Sequence, residues 1–256
     1  MSKYYRANRT RNLYDPSSDK PYKLSRSKID LFLNCPRCFY NDRRLGIGRP
    51  PGFPFTLNSA VDALLKREFD SYRLAKKIHP LMKDAGIDAI PFAHADLEDW
   101  RNSLHKGIQF HHQTTNLIIT GGVDDVWVKP NGELIIVDYK ATSKAEPVSL
   151  DADWQIGYKR QMSLYVWLFK MNGFAVADTG YFVYCNGKAD RESFNRRLDF
   201  DISVLPYLID DSWVEEAILG AKRCLDSNNV PHVVGDCDYC SYVQALHRSS
   251  AFLELR

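Results

Sequence analysis

The sequence predicts a single α/β domain, with α+β as the variant, built on a mixed central sheet flanked by helices. Three observations carry that expectation. Segments of helical period alternate with short runs rich in Val, Ile and aromatic residues, a strong turn signal joins two of those runs into a hairpin, and no repeat or linker divides the 256 residues. A chain of this length, 45% hydrophobic and 26% charged, can bury a sizeable core, which excludes disordered and collagen-like classes.

Residues 1–23 show no sustained hydrophobic period and are expected to form a flexible basic arm, leaving 24–256 as the folded domain. Residues 24–34 place Ser25 as an N-cap before Ile29, Phe32 and Leu33, a short helix running into Cys35. Residues 46–54 (GIGRPPGFP) are a breaker cluster and therefore loop. Residues 56–78 carry Leu57, Val61, Leu64, Leu65, Phe69, Tyr72 and Ile78 at helical spacing, and a shorter helix is expected over 96–104. The period then changes to that of strands at 108–112, 117–128 and 133–139, the last two joined by Pro130-Asn131-Gly132. A helix over 154–171, a strand over 180–186 and a helix over 212–225 complete the reading.

The charge is unevenly spread. Residues 1–49 hold twelve Lys or Arg against four Asp, a net +8 in a chain whose total is +2, so a basic beginning sits on an acidic remainder. No run approaches eighteen apolar residues and residues 1–11 are basic and polar, so neither a membrane span nor a secretory signal is expected and the expected compartment is the cytoplasm. In that compartment six cysteines are thiols or metal ligands rather than disulfides.

The triplet Asp138-Tyr139-Lys140 is common by chance among 32 acidic residues; its setting gives it weight. With Gly132 left-handed in a three-residue hairpin, Lys129 faces Glu133, Asp124 pairs with Asp138, and Asp125 joins Val137 on the opposite face. Asp124, Asp138 and Lys140 then share one face. Two opposed carboxylates repel unless neutralised, and Mg²⁺ or Mn²⁺ suits such oxygen ligands, while the lysine could hold or activate an attacking water. A Lys140 salt bridge on a solvated face is the plainer alternative. Gln161 and Tyr165, at i and i+4, face the same way on one helix.

Cys35-Pro-Arg-Cys38 and Cys237-Asp-Tyr-Cys240 are two Cys-x-x-Cys pairs, together a strong signal for a four-thiolate site that staples the two ends of the domain. Zinc and an iron-sulfur cluster both accept that spacing. Cys185 and Cys224, in apolar contexts, are expected as buried thiols.

Taken together, Gly121-Gly-Val-Asp124, Asp138-Tyr-Lys140 and Gln161-Met-Ser-Leu-Tyr165 resemble the PD-(D/E)XK nucleases, and within them the RecB-like exonuclease branch. The resemblance implies a PD-(D/E)XK nuclease-like domain. It makes Asp124 and Asp138 metal ligands, Lys140 the catalytic lysine, and Gln161 and Tyr165 accessory residues near the reacting phosphate, with the Tyr139 carbonyl a further ligand. Where that branch supplies a histidine from the early helix, this chain has Asp62, which suits a hard cation but is also an i,i+4 partner for Lys66. Similarity to AddB-type helicase-nucleases and CRISPR-associated exonucleases implies a 4Fe-4S cluster, although those relatives divide their cysteines one and three rather than two and two.

Arg37, Arg43, Arg44 and Arg49 are expected to meet a nucleic-acid backbone with little sequence preference, and Trp154 and Tyr158 to stack on unpaired bases. The resulting expectation is a Mg²⁺- or Mn²⁺-dependent deoxyribonuclease, exonuclease-like on single-stranded or end-containing DNA, with a helicase or recombination and repair protein as partner. Its alternatives are a nuclease fold that binds DNA or a partner without turnover, and an electron carrier built on the cysteines.

Overall fold

In the computed structural model, which describes residues 5, 8–52, 55–233 and 237–249, the chain begins with β1 (Tyr22–Ser25), α1 (Arg26–Asn34), α2 (Pro36–Arg43), α3 (Thr56–Ala75) and α4 (Pro80–Asp84). It continues through β2 (Ile90–Pro91), α5 (Leu97–Arg101), β3 (Ile108–His112), β4 (Leu117–Gly121), β5 (Asp125–Val128) and β6 (Leu134–Thr142). After these come α6 (Ile156–Met171), β7 (Thr179–Gly187), β8 (Phe200–Leu208), α7 (Val214–Asp226) and α8 (Asp238–Arg248). Two compact units result: Met1–Phe53, His111–Ile118 and Trp213–Arg256 form the first, Pro54–Phe110 and Ile119–Ser212 the second. The middle boundaries fall inside β3 and β4, so no linker marks them in the sequence.

The second unit is built on a five-stranded sheet of order β2-β5-β6-β7-β8, with β6 and β7 parallel and the other neighbours antiparallel. Leu134, Ile135, Ile136 and Val137 are all buried, the continuous apolar run of a strand covered on both faces. Odd-numbered residues Ile135, Val137 and Tyr139 pack with Leu65 and Phe69 of α3 and with Trp127. On the other face a side chain at Gly180 would collide with Met162 of α6. That explains why α6 is buried from Met162 to Phe169. Full burial of Phe69 or Phe182 contributes about 1.5–3 kcal/mol each.

The hairpin has the expected register: Asp125 opposes Val137, Lys129 N–H donates to Glu133 O at 2.9 Å, and Gly132 is left-handed at φ 87°. The expected continuous strand over 117–128 is instead two strands in two sheets, β4 ending at Gly121 and β5 starting at Asp125. Between them Val123 N–H donates to Trp100 O, which draws the backbone toward α5 and leaves Asp124 just outside the ladder with Asp138. Helices α2, α4 and α8 and strand β8 lack a sequence signal that the period reading caught. β8 contains Pro206 and lies at the sheet edge, where proline is tolerated.

In the first unit the α7 stripe Val214, Ile218, Ala221 and Leu225 is buried, and a side chain at Gly220 would meet the Phe32 ring of α1. Met1–Tyr4, Arg6 and Ala7 lie outside the described residues. In the rest of the expected arm, two residues make bonds to later parts of the unit. Arg9 N–H donates to Gly46 O at 3.0 Å, and the buried Tyr14 hydroxyl donates to Asp226 at 2.6 Å. Polar anchors of this kind leave no hydrophobic period to read.

Asp125, wholly buried, is held by Arg73 and Arg101, by the Tyr139 hydroxyl at 2.8 Å and by the Val126 N–H at 2.9 Å. Removing Asp125 leaves the buried Arg73 and Arg101 with only the more exposed Asp70 and Glu98 as partners and takes the acceptor from the Tyr139 hydroxyl. Asp125→Ala is therefore expected to lower stability by about 3–5 kcal/mol in urea denaturation. The neighbouring, half-exposed Asp124→Asn should cost less than about 1 kcal/mol; equal losses would contradict this division of roles.

Candidate functional site

The second unit brings Asp62 and Lys66 of α3, Asp124 before β5, Asp138 and Lys140 of β6, and Gln161 and Tyr165 of α6 into two linked groups. In the first, Lys66 Nζ donates to Asp62 Oδ2 at 2.8 Å and to Asp124 Oδ1 at 3.3 Å. Asp124 Oδ2 accepts the Tyr139 N–H at 2.9 Å, and the Asp124 carbonyl accepts from Arg101 Nε at 3.1 Å. The side chain and the backbone of Asp124 are thus fixed by different neighbours. Tyr139 joins them to the second group, because its neighbours Asp138 and Lys140 project to the α6 face of the same strand.

There the Lys140 ammonium pairs with the Asp138 carboxylate, which has no exposed surface. Gln161 ties the pair together: its Nε2 donates to Asp138 Oδ1 at 2.7 Å and to the Tyr165 hydroxyl at 3.0 Å, and its Oε1 accepts from Lys140 at 3.4 Å. Lys140 Nζ also lies 4.3 Å from the centre of the Tyr158 ring, a cation–π contact. Tyr158 in turn meets Trp154 edge-on, and Trp154 is 64% exposed.

The electrostatics follow the geometry. Burial raises the Asp62 pKa and the charge of Asp124 adds to the rise, opposed by Lys66. Burial works to lower the Lys66 pKa, but Asp124 and Asp62 outweigh it and raise the pKa above its ordinary value. Burial raises the Tyr158 pKa, and the Asp138 charge raises it further. Among the described residues only the four cysteines bring three or more ligand atoms within 4.8 Å of one another. The oxygens of Asp62, Asp124 and Asp138 do not converge that closely, and two ammonium groups stand among them. The donor set is still the hard-oxygen set that Mg²⁺ or Mn²⁺ takes, so such an ion fits chemically once Lys66 yields Asp124.

The remaining expected site residues belong to the first unit. Cys35, Cys38, Cys237 and Cys240 lie together and buried. Arg43 is bound to Asp42 at 2.9 Å, Arg44 lies over the Tyr40 ring, and Arg49 donates to Cys237 Sγ at 3.3 Å. Arg37 is exposed on α2. Cys185 of the second unit is buried and Cys224 of the first half-buried, each with its thiol pKa raised to about 11 by burial. The sequence could show Lys66 only as an i,i+4 neighbour of Asp62; its bond to Asp124, 58 residues on, and the Arg101 hold on the Asp124 carbonyl have no local signal.

A family model described as the PD-(D/E)XK nuclease superfamily matches residues 23–245. No curated protein matches. Among solved structures, that of SSO0001 is similar over 91% of this chain and 88% of its own, at 16% identity and a TM-score of 0.36. No helix among the described residues is long and apolar enough to cross a membrane.

A side chain at Gly121 would meet the Tyr165 ring at 2.6–2.8 Å, so the glycine allows Tyr165 to sit beneath Gln161. Gly121→Ala should cost about 1–3 kcal/mol through overpacking. Gly52→Ala, where nothing lies within 4 Å, should be close to neutral, both read by urea denaturation.

Proposed function

The chain belongs to the PD-(D/E)XK nuclease superfamily, and on that premise we propose that it is a Mg²⁺- or Mn²⁺-dependent deoxyribonuclease of the RecB-like type. It acts exonuclease-like on single-stranded or end-containing DNA. The observation that carries the reading is the Asp138, Lys140, Gln161 and Tyr165 constellation, in which one amide holds the carboxylate, the ammonium and the phenol at once.

Asp62, Asp124, Asp138 and the Tyr139 carbonyl would hold the ion, which when bound supplies Lewis acidity and a water of lowered pKa. Lys140 orients the nucleophile and offsets the charge that develops on phosphorus during in-line attack. Gln161 prevents Lys140 from drifting, and Tyr165 fixes the Gln161 amide. Tyr158 confines the ammonium from one side, and the exposed Trp154 beside it supplies a face on which an unpaired base can stack. Arg37, Arg43, Arg44 and Arg49 contribute positive charge for phosphates, with no base-reading motif to impose sequence preference. A helicase or a recombination and repair protein is the proposed partner class, and the cytoplasm the proposed compartment.

One observation favours a second reading, a nuclease fold that binds DNA without turnover. Lys66 bridges Asp62 and Asp124 and pairs with both. Lys66→Met removes that competitor and is expected to tighten Mn²⁺ binding roughly tenfold in calorimetric titration, about 1.4 kcal/mol. In the second reading cleavage appears only in this variant.

With labelled single-stranded DNA and Mn²⁺, Lys140→Ala should reduce cleavage by at least about a hundredfold while DNA binding persists. Undiminished cleavage by the purified variant would reject the role given to Lys140. Trp154→Ala should weaken single-strand binding by about 1–3 kcal/mol with duplex binding little changed, as read by fluorescence anisotropy.

A further inference from the structure

The four-cysteine centre of the first unit has dimensions that distinguish between the metal groups its spacing allows. Cys35 Sγ lies 3.7 Å from Cys240 Sγ, and Cys38 Sγ lies 3.6 Å from Cys237 Sγ and 3.7 Å from Cys240 Sγ. All four sulfurs fall within 4.8 Å of one another. A single tetrahedral ion with metal–sulfur bonds of about 2.3 Å spaces its sulfurs about 3.8 Å apart. A 4Fe-4S cube puts a separate iron behind each thiolate, with the body of the cube between them, and spreads the four sulfurs to roughly 6 Å. The cluster implied by the family resemblance therefore does not fit these residues.

We propose that the first unit holds one zinc ion on Cys35, Cys38, Cys237 and Cys240, as a structural centre independent of the nuclease chemistry. Each thiol gives its proton to solvent as it takes up the ion. Zinc is chosen over a lone iron because divalent zinc outcompetes ferrous iron for thiolates at equal availability.

The surroundings suit the double negative charge of a zinc tetrathiolate. Cys35 is the N-cap of α2 and Cys38 its third residue, and Cys237 and Cys240 hold the same two positions on α8. Two helix N-termini, with their free N–H groups and partial positive charge, thus converge on the sulfurs. The Cys38 N–H already donates to Cys35 Sγ at 3.4 Å. Arg49 supplies a full charge, its Nη2 3.3 Å from Cys237 Sγ and its guanidinium stacked 4.6 Å over the Tyr239 ring of α8. That stacking fixes the arginine beside the thiolates, which makes it a positioning residue for the centre.

The test is elemental and sulfide analysis of the full chain, purified anaerobically from cells supplied with both iron and zinc. The expected result is one zinc per chain, no acid-labile sulfide and no visible absorbance. Titrating the thiols with a mercurial should release that zinc, and cobalt exchanged into the site should give the intense visible bands of a tetrahedral thiolate centre. Brown protein with several irons and matching sulfide, a single iron without sulfide, or metal-free protein in which Cys35, Cys38, Cys237 and Cys240 all titrate as thiols would each overturn the proposal. Because a cysteine variant can fail to fold, the second arm uses Arg49→Gln. It should keep the zinc stoichiometry but lose roughly ten- to a hundredfold in affinity against a competing chelator; unchanged affinity would remove Arg49 from the centre.

Discussion

Asp125 is a carboxylate with no contact with water, and the groups that neutralise it are the groups that hold the candidate site. Arg101 binds its side chain and, through a different nitrogen, the carbonyl of Asp124. Tyr139 gives its hydroxyl to Asp125 and its backbone N–H to Asp124. Burial opposes the charge on Arg101, but Asp70 and Asp125 raise its pKa, so the guanidinium stays ionised at any ordinary pH. A desolvated charge cluster of this kind contributes little net stability compared with an apolar core, yet it tolerates no missing member. It converts the break between β4 and β5 from a loose loop into a fixed mount for one carboxylate.

The second consequence lies in the alternation of β6. Its odd-numbered side chains close the core under α3, while Asp138 and Lys140 face α6, where Gln161, Tyr165 and Tyr158 meet them. A single strand thus presents packing on one side and chemistry on the other, and a one-residue slip of register would exchange the two. The parallel partner β7 and the antiparallel partner β5 both hold that register. The two lysines carry the remaining constraint. Lys140 balances the buried Asp138, and Lys66 bridges Asp62 and Asp124, offsetting part of their mutual repulsion.

The first unit solves a different problem. Its helices α1, α2, α7 and α8 come from opposite ends of the sequence, and a group of four thiolates is well suited to closing a loop of that length. Within this unit Arg43 pairs with Asp42 and Arg49 donates to Cys237.

The chain by itself determined the mixed sheet, the hairpin register, the amphipathic α3 and the two Cys-x-x-Cys motifs, because each rests on periods or spacings of a few residues. It left α2, α4, α8 and β8 unread, since short, half-polar segments take their conformation from what covers them. Only the tertiary structure decided that Asp124 stands outside the ladder, that Asp125 and not Asp124 is the buried acid, and that Lys66 bridges two carboxylates 62 residues apart in sequence. It also set the separation of the sulfurs, which spacing of two intervening residues leaves free. Those outcomes depend on contacts between segments distant along the chain, and local sequence carries no record of the distances at which such segments come to rest.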